Sequence, residues 1–336
     1  MSKKILITGA NGFLGSAIVK LALKKRFNVK ALVRRNSDLS NLKKIKSKIE
    51  IFYGDIRDID SLIDPVRQSD IIFHVAADYR IWAEKFSELY ESNVFGTENI
   101  TKVICEFKKK LIYTSSVATL GLIEGQISDE ETPVCFDDMI GHYKKSKYLA
   151  EQIVLKYIKK RGLNGIVVNP STPIGPGDIK PTPTGKIVLD MLSNNMPAYV
   201  DTGLNFVHVD DVAEGHFLAE KHGKVGEKYI LGGENLSLKD FLDDISFFGK
   251  VPQVKVKLNP SYLYFFAFVN EIFSKYFFGS QPRLTIDGLR MSEKKMFFSS
   301  DKAKKELRYR PRNLKNAIKE AVNWTKLNFL NNIKKK

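Results

Sequence analysis

A phenol and an ammonium stand four residues apart at Tyr143 and Lys147, inside a stretch whose apolar residues recur every three or four positions. On a helix that spacing puts both groups on one face, within reach of a shared ligand. Of the 13 tyrosines, only Tyr143 is followed by lysine four residues later. A fixed cation nearby favours phenolate, so the pair is expected to pull the tyrosine pKa below its usual value of about 10 and let it pass a proton at neutral pH. Ser115 and Ser116 close an apolar run in Tyr113-Thr114-Ser115-Ser116-Val117. A hydroxyl there can hold a substrate oxygen beside the tyrosine, or simply cap the turn that follows.

A second constellation has the chemistry of phosphate binding. Thr8-Gly9-Ala10-Asn11-Gly12-Phe13-Leu14-Gly15 follows the first apolar run and opens the first helical pattern. In that context glycines let the backbone approach a pyrophosphate, whose charge meets the free N–H groups of the helix start. Past this loop, at the end of the second apolar run, stand Arg34 and Arg35. A dinucleotide with a free ribose 2′-hydroxyl usually meets an acid at that point, about 20 residues on, whereas two guanidinium groups suit a 2′-phosphate. NADP(H) is therefore favoured, with NAD as the alternative. Asp55, followed by Ile56, ends the third run, where it can accept from an adenine amino group or serve only as a turn aspartate.

These residues need a scaffold, and the sequence supplies one. Runs rich in Ile and Val at Ile5–Thr8, Val29–Val33, Ile49–Tyr53, Ile71–Val75, Leu111–Ser115 and Ile166–Asn169 are continuous rather than alternating, the pattern of strands buried on both faces. Helical periodicity separates them at Gly15–Lys25, Thr97–Lys109 and Met139–Lys160. The expectation is an α/β, doubly wound parallel sheet (Rossmann) with a smaller, interleaved C-terminal substrate domain. Residues 1–170 form the NAD(P)-binding part, with 205–235 returning to it, and 171–204 and 236–336 form the substrate-binding region. The loop PSTPIGPGDIKPTPTGK marks the first crossing. The return is expected through a strand at Phe206–Val209, a helix opened by a capping-box-like pair Asp211 and Glu214, and a strand at Lys228–Leu231.

Composition narrows the classes. The chain has 336 residues, 43% hydrophobic and 27% charged, with only two cysteines, Cys105 and Cys135. That supports a large core, a reducing compartment and neither a disulfide framework nor a metal site. The net charge of +16 comes from 42 lysines and 12 arginines, scattered without a reader motif, so no nucleic acid partner is expected. Three apolar residues after the opening lysines are too few for a signal peptide, which points to the cytoplasm. The aromatic stretch Leu258 to Gly279 carries Asn270, Glu271 and Lys275. It is too polar to span a membrane and reads as a core helix of the small domain, with peripheral membrane contact or a lipidic substrate as the alternative. Arg283 and Arg290 are solvated arginines or anchors for an anionic group.

Taken in order, these motifs resemble the extended short-chain dehydrogenase/reductase superfamily, also called the NAD-dependent epimerase/dehydratase superfamily. Gly9, Gly12 and Gly15 match its TGxxGxxG, His74-Val75-Ala76-Ala77 its HxAA, Asn93-Val94-Phe95-Gly96-Thr97 its NVxGT, and Tyr143 to Lys147 its YxxxK. Longer strings, among them Ala76 to Trp82, Asp138 to Tyr143, Asn169 to Gly185, Phe206 to Gly215 and Lys295 to Phe298, are similar to the hopanoid-associated sugar epimerase family and, more distantly, to dihydroflavonol 4-reductases. The resemblance implies a nicotinamide cofactor across the sheet and a catalytic triad of Ser116, Tyr143 and Lys147. It implies Tyr143 as proton donor or acceptor, Lys147 on the nicotinamide ribose and Ser116 on the reacting oxygen. Asn93 keeps the active-site helix in register, and Pro170 and Ser171 line the nicotinamide pocket. The cofactor set is then Gly9, Gly12, Phe13, Leu14, Gly15, Arg34, Arg35, Asp55, Ile56, Ala76, Ala77, Asn93, Tyr143, Lys147, Pro170 and Ser171. A homodimer is usual in the superfamily.

Three functions stay open on the sequence. The first is an NAD(P)-dependent oxidoreductase transferring hydride at a secondary alcohol or ketone of a small molecule, lipidic or sugar. The second is a sugar epimerase that oxidises and re-reduces in one site. The third is an inactive NADP-sensing protein. Arg34 with Arg35, and Leu204-Asn205 where nucleotide-sugar enzymes place arginine for the diphosphate, favour the first.

Overall fold

The computed structural model describes residues 2–81, 83, 85–273 and 285–330. Its main layer is a seven-stranded, wholly parallel sheet. The strands in chain order are β1 (Lys4–Thr8), β2 (Asn28–Val33), β3 (Glu50–Tyr53), β4 (Ile71–His74), β5 (Lys110–Thr114) and β6 (Gly165–Pro170). After β7 (Thr172–Ile174), β8 (Ala198–Val200) and β9 (Gly203–His208) comes β10 (Lys228–Leu231), the seventh strand of that sheet. Across the sheet the order is β10-β6-β5-β4-β1-β2-β3, the doubly wound arrangement expected from the apolar runs.

Helices cover both faces. On one lie α1 (Phe13–Lys24) and α7 (Val209–His222), with Ile18, Val19, Val212 and Phe217 packed on Ile5, Ile7, Phe73 and Val168. On the other lie α2 (Asp60–Arg67), α4 (Gly96–Glu106) and α5 (Gly141–Arg161), with Ile100, Ile104, Ala150 and Val154 packed on Leu6, Ile72 and Tyr113. Between α2 and α4, the helix α3 (Phe86–Tyr90) runs into a π-helical turn, Glu91–Phe95. The inner strands are thus covered on both faces, which is why these runs carry no polar alternation; on the edge strand β3, Glu50 and Tyr53 stay exposed.

A second apolar core gathers Val188 and Met191 of α6 (Pro183–Leu192), Phe241 and Ile245 of α8 (Leu238–Gly249), Ile318 and Val322 of α11 (Leu314–Thr325), and Phe206 of β9. The strand at Phe206 behaves differently from the sequence expectation. It pairs with β7 in parallel and with β11 (Glu234–Ser237) antiparallel, in a separate three-stranded sheet, while α7 and β10 pack on the main layer. The helix start differs too: His208 caps α7 by accepting the Asp210 N–H at 3.0 Å, and Asp211 instead binds Arg312. A histidine ring nitrogen three residues before Asp211 satisfies the helix end, so the Asp211 carboxylate is free for a distant partner.

Strand β12 (Val256–Leu258) leads to α9 (Pro260–Phe273), which packs against α10 (Ile286–Ser292). The expectation of a core helix fails on its outer face. Ala267 is buried, but Tyr262, Phe265, Phe266 and Phe268 are exposed, Tyr262 by 78%. Tyr276, Phe277, Phe278 and Arg283, which the sequence reading included here, lie outside the described residues, as does Trp82. Among the described residues, no helix is long and apolar enough to cross a membrane. Cys105 and Cys135 are both free thiols.

Candidate active site

The carboxyl edge of the sheet gathers the sequence motifs. At the end of β1, Thr8 Oγ1 accepts the N–H groups of Val75 and Ala76, both at 3.1 Å, and so donates its own hydrogen to His74 Nδ1 at 2.8 Å. His74 Nε2–H then donates to Thr97 Oγ1 at 3.1 Å. Burial, and the nearby Lys147 ammonium, hold the His74 pKa down at about 3, so the imidazole is neutral. This buried chain fixes the backbone at Ala76 and Ala77 against the glycine loop. Gly9 has φ +65, and a Cβ there would lie 2.8 Å from Ala76 Cα.

The loop fits a dinucleotide pyrophosphate. A Cβ on Gly15 would sit 2.1 Å from the Gly9 carbonyl oxygen, so only glycine lets α1 close on β1. At Gly12 a Cβ would meet only the Gly9 oxygen, at 3.2 Å, and otherwise open space. Gly12 caps α1 without a side-chain bond and the first turn holds no acid, leaving N–H groups for an anion. Phe13 and Leu14 are turned partly into the core. At the far end of the cleft, β6 ends in Pro170 and Ser171. The buried Ser171 hydroxyl and the buried Asn169 Oδ1 have no partner among the described residues. Two orphaned polar atoms under a strand end are what a polar ring substituent would satisfy. The residues present thus suit a nicotinamide dinucleotide at both ends.

The Ser116 hydroxyl lies beside the Tyr143 phenol, close enough to lower its pKa, and both residues are partly accessible. Ser116 also does the bland task foreseen for it, accepting the Ala118 N–H at 3.1 Å. Lys147 is buried one turn along α5, and its ammonium donates to the Thr114 carbonyl at 3.0 Å and the Tyr113 hydroxyl at 3.3 Å. The expected acidification of Tyr143 does not hold. Burial of its hydroxyl raises the pKa above the usual tyrosine value, the Ser116 hydroxyl only partly opposes this, and Asp78 adds to the rise. The lysine's oxygen partners lie on β5 rather than on the phenol, and desolvation outweighs what remains. Lys147 is itself lowered to about 8 by burial, against the pull of Glu151.

Of the side chains that hold this group, Asn93 and Ser115 were expected from the sequence, but Glu151 and Asn169 were not singled out. Buried Glu151 accepts on one oxygen from Ser115 Oγ at 2.5 Å, Thr119 Oγ1 at 2.8 Å and Asn169 Nδ2 at 2.9 Å. Asn169 also donates to the Ser116 carbonyl at 3.0 Å. Glu151 lies four residues past Lys147 on the same helix, a spacing that could have flagged it. Asn93, in the π-helical turn, pairs with both backbone groups of Asp78, at 2.7 and 2.8 Å, and donates to Ser146 Oγ at 3.0 Å. It ties the loop after β4 to α5.

The remaining candidates sit farther out. Arg34 and Arg35 are exposed at the end of β2, and Arg35 lies over the Tyr53 ring at 5.8 Å. Asp55 accepts from the Arg57 N–H at 3.0 Å and from its guanidinium at 3.0 and 2.7 Å, which holds its pKa below the usual carboxylate range. It therefore fills the turn role. Ile56 packs on Gly96 of α4, where a Cβ would come within 2.7 Å of it. Arg290 is exposed, 3.9 Å from Asp287.

A parallel doubly wound sheet with a glycine loop opening α1 at the end of β1 is the architecture of nucleotide-dependent enzymes. Residues 5–232 match the model of the "NAD dependent epimerase/dehydratase family", and the chain belongs to that family of enzymes. It is similar to a dihydroflavonol 4-reductase-like protein of Synechocystis sp., 41% identical over 96% of this chain and 95% of the relative. It is also similar to sterol demethylase protein B of Methylococcus capsulatus, 28% identical over 95% and 97% of the two chains. Among solved structures, the crystal structure of gox2253 matches with a TM-score of 0.87 and 49% identity over 98% of this chain and 99% of that one. A UDP-glucuronic acid 4-epimerase of Bacillus cereus, in complex with UDP-glucuronic acid and NAD, shares the fold with a TM-score of 0.77 at 20% identity, covering 96% and 99%.

Proposed function

We propose that the protein is an NAD(P)-dependent reductase or dehydrogenase acting at a secondary alcohol or ketone through Ser116, Tyr143 and Lys147. The observation that carries this reading is the convergence of the Ser116 hydroxyl and the Tyr143 phenol at the strand end, with Lys147 buried one helical turn along and bonded to Thr114 and Tyr113 of β5. A bound nicotinamide supplies or accepts the hydride. The protein's share is proton control and orientation. Ser116 holds the reacting oxygen, and Tyr143 delivers the proton that the oxygen gains as the carbonyl is reduced. Because burial keeps its phenol protonated at neutral pH, Tyr143 enters as an acid, which suits carbonyl reduction. Lys147 would hold the ribose of the bound cofactor, Asn93 ties the loop after β4 to α5, and Glu151 ties α5 to the end of β5. The 2′-phosphate of NADP(H) is assigned to Arg34 and Arg35, supported by their exposure and by the lack of an acid there. We place the enzyme in the cytoplasm.

Three measurements test this. Nucleotide released from purified protein is identified: exchangeable NADPH, whose near-ultraviolet absorbance falls on adding carbonyl compounds, supports reduction, and tightly retained NAD supports the epimerase. Tyr143→Phe should abolish turnover and leave cofactor affinity nearly intact; substantial residual activity contradicts the role. Arg34→Ala should narrow the preference for NADPH over NADH, and an unchanged ratio removes Arg34 from the phosphate site.

A further inference from the structure

Next to Tyr143 on α5 lies a second buried lysine that the proposed mechanism does not use. Lys144 is only 6% exposed, close to the 3% of Lys147. The two differ in their partners. The Lys147 ammonium has two oxygen acceptors, whereas the Lys144 ammonium, among the described residues, touches only the Met296 sulfur at 3.8 Å. The charged group that acts on it is another cation, Lys294. Asp287, whose carboxylate lies beside Gly141 at the start of the helix, acts on His142 rather than on Lys144. Burying an ammonium whose one acceptor is a thioether sulfur is costly, and here burial holds the pKa down at about 8.

The position of this group gives it meaning. Side chains on a helix lean toward its N-terminus, so that of Lys144 covers the turn that leads into Tyr143. Met296 packs on a small cluster with Val117 and Leu120, the residues that directly follow Ser116. Met296 is also bridged to Leu204. The ammonium thus sits in a seam between the start of α5, the turn bearing Ser116, and the 294–298 segment.

We propose that Lys144 recognises an anionic group of the substrate, a carboxylate or a phosphate, bound in this seam with Lys294 at its outer side. Calling that ligand the substrate rests on the reading of Tyr143 as the reacting centre; the anion site itself does not. An oxygen anion supplies the acceptor that the buried ammonium lacks, and it offsets the repulsion between the two lysines.

The test is thermal unfolding of the full chain at pH 7 with saturating NADP+, titrated with sodium phosphate or sodium acetate against sodium chloride at equal ionic strength. Wild type should show a saturable rise in midpoint with at least one of the two anions. A response to phosphate assigns a phosphoryl group and one to acetate a carboxylate. Lys144→Met, which removes a buried charge at nearly constant volume, should start from a higher midpoint and need at least tenfold more anion. Lys144→Arg should restore the response. Tyr143→Phe should keep it, so a loss of the oxidoreductase reading leaves this assignment standing. A wild-type response no greater than to chloride, or an undiminished response in Lys144→Met, overturns it.

Discussion

Acid should weaken this fold before most of its carboxylates are titrated, because two histidines are buried neutral beside the carboxyl edge of the sheet. His74 is held at about 3 by burial and His216 at about 4, the latter between Thr114 Oγ1 at 2.9 Å and the Val212 carbonyl at 2.7 Å. Unfolded, each takes up a proton near pH 6.5. Between pH 6.5 and the folded pKa, the unfolded chain binds more protons, so stability falls as pH falls, by ~1.4 kcal/mol per unit for each group. At pH 4.5 the two together cost ~5 kcal/mol, offset in part by Asp178, whose carboxyl pKa is raised by burial to about 6 so that its protonation favours the fold over the same range; the net is still a large share of the ~5–15 kcal/mol that holds a domain together. Urea unfolding at pH 7.5, 6.5, 5.5 and 4.5 measures this slope. His74→Gln, whose amide can bond both Thr8 and Thr97, should be somewhat less stable at pH 7.5 but lose stability with acid at about half the wild-type slope. A wild-type stability that is level from pH 6.5 to 4.5, or an unchanged slope in the variant, would refute the assignment of a neutral buried imidazole.

Two further outcomes follow from the same contacts. Gly15→Ala places a methyl 2.1 Å from the Gly9 carbonyl oxygen, so despite alanine's better helix propensity it should destabilise by ~2 kcal/mol or more, read as a lowered unfolding midpoint. Glu151→Gln weakens three donors' shared acceptor and removes the negative charge that raises the Lys147 pKa. Lys147 then loses its proton below pH 8, and the high-pH limb of the pH–rate profile should move to lower pH, whereas a purely structural role for Glu151 would lower the rate at every pH without moving the limb.

Much of the frame was legible because it is written in short-range patterns. Continuous apolar runs announce strands covered on both faces, and the three- and four-residue spacing of α1, α4 and α5 announces the helices between them. The glycines of the loop after β1 act through their own backbone and nearest neighbours, so the tight approaches at Gly9 and Gly15 follow from their position in the chain. The four-residue spacing of Tyr143 and Lys147 fixes their shared helix face for the same reason.

What the tertiary structure decided is which partner each polar group finds, and at what electrostatic cost. Lys147 turns to Thr114 and Tyr113, which come from a strand more than 30 residues away, so Tyr143 is governed by burial instead of by its neighbour's charge. The Glu151 hub, the link from Asn93 to Ser146 and the isolated ammonium of Lys144 likewise exist only once distant elements are packed. Strand β9 joins the small sheet because its edge partners are β7 and β11, a choice its own apolar residues do not encode. Backbone geometry is set locally and can be read along the chain. Desolvation and hydrogen-bond partnership depend on what surrounds a group in three dimensions, and the order of residues does not carry them.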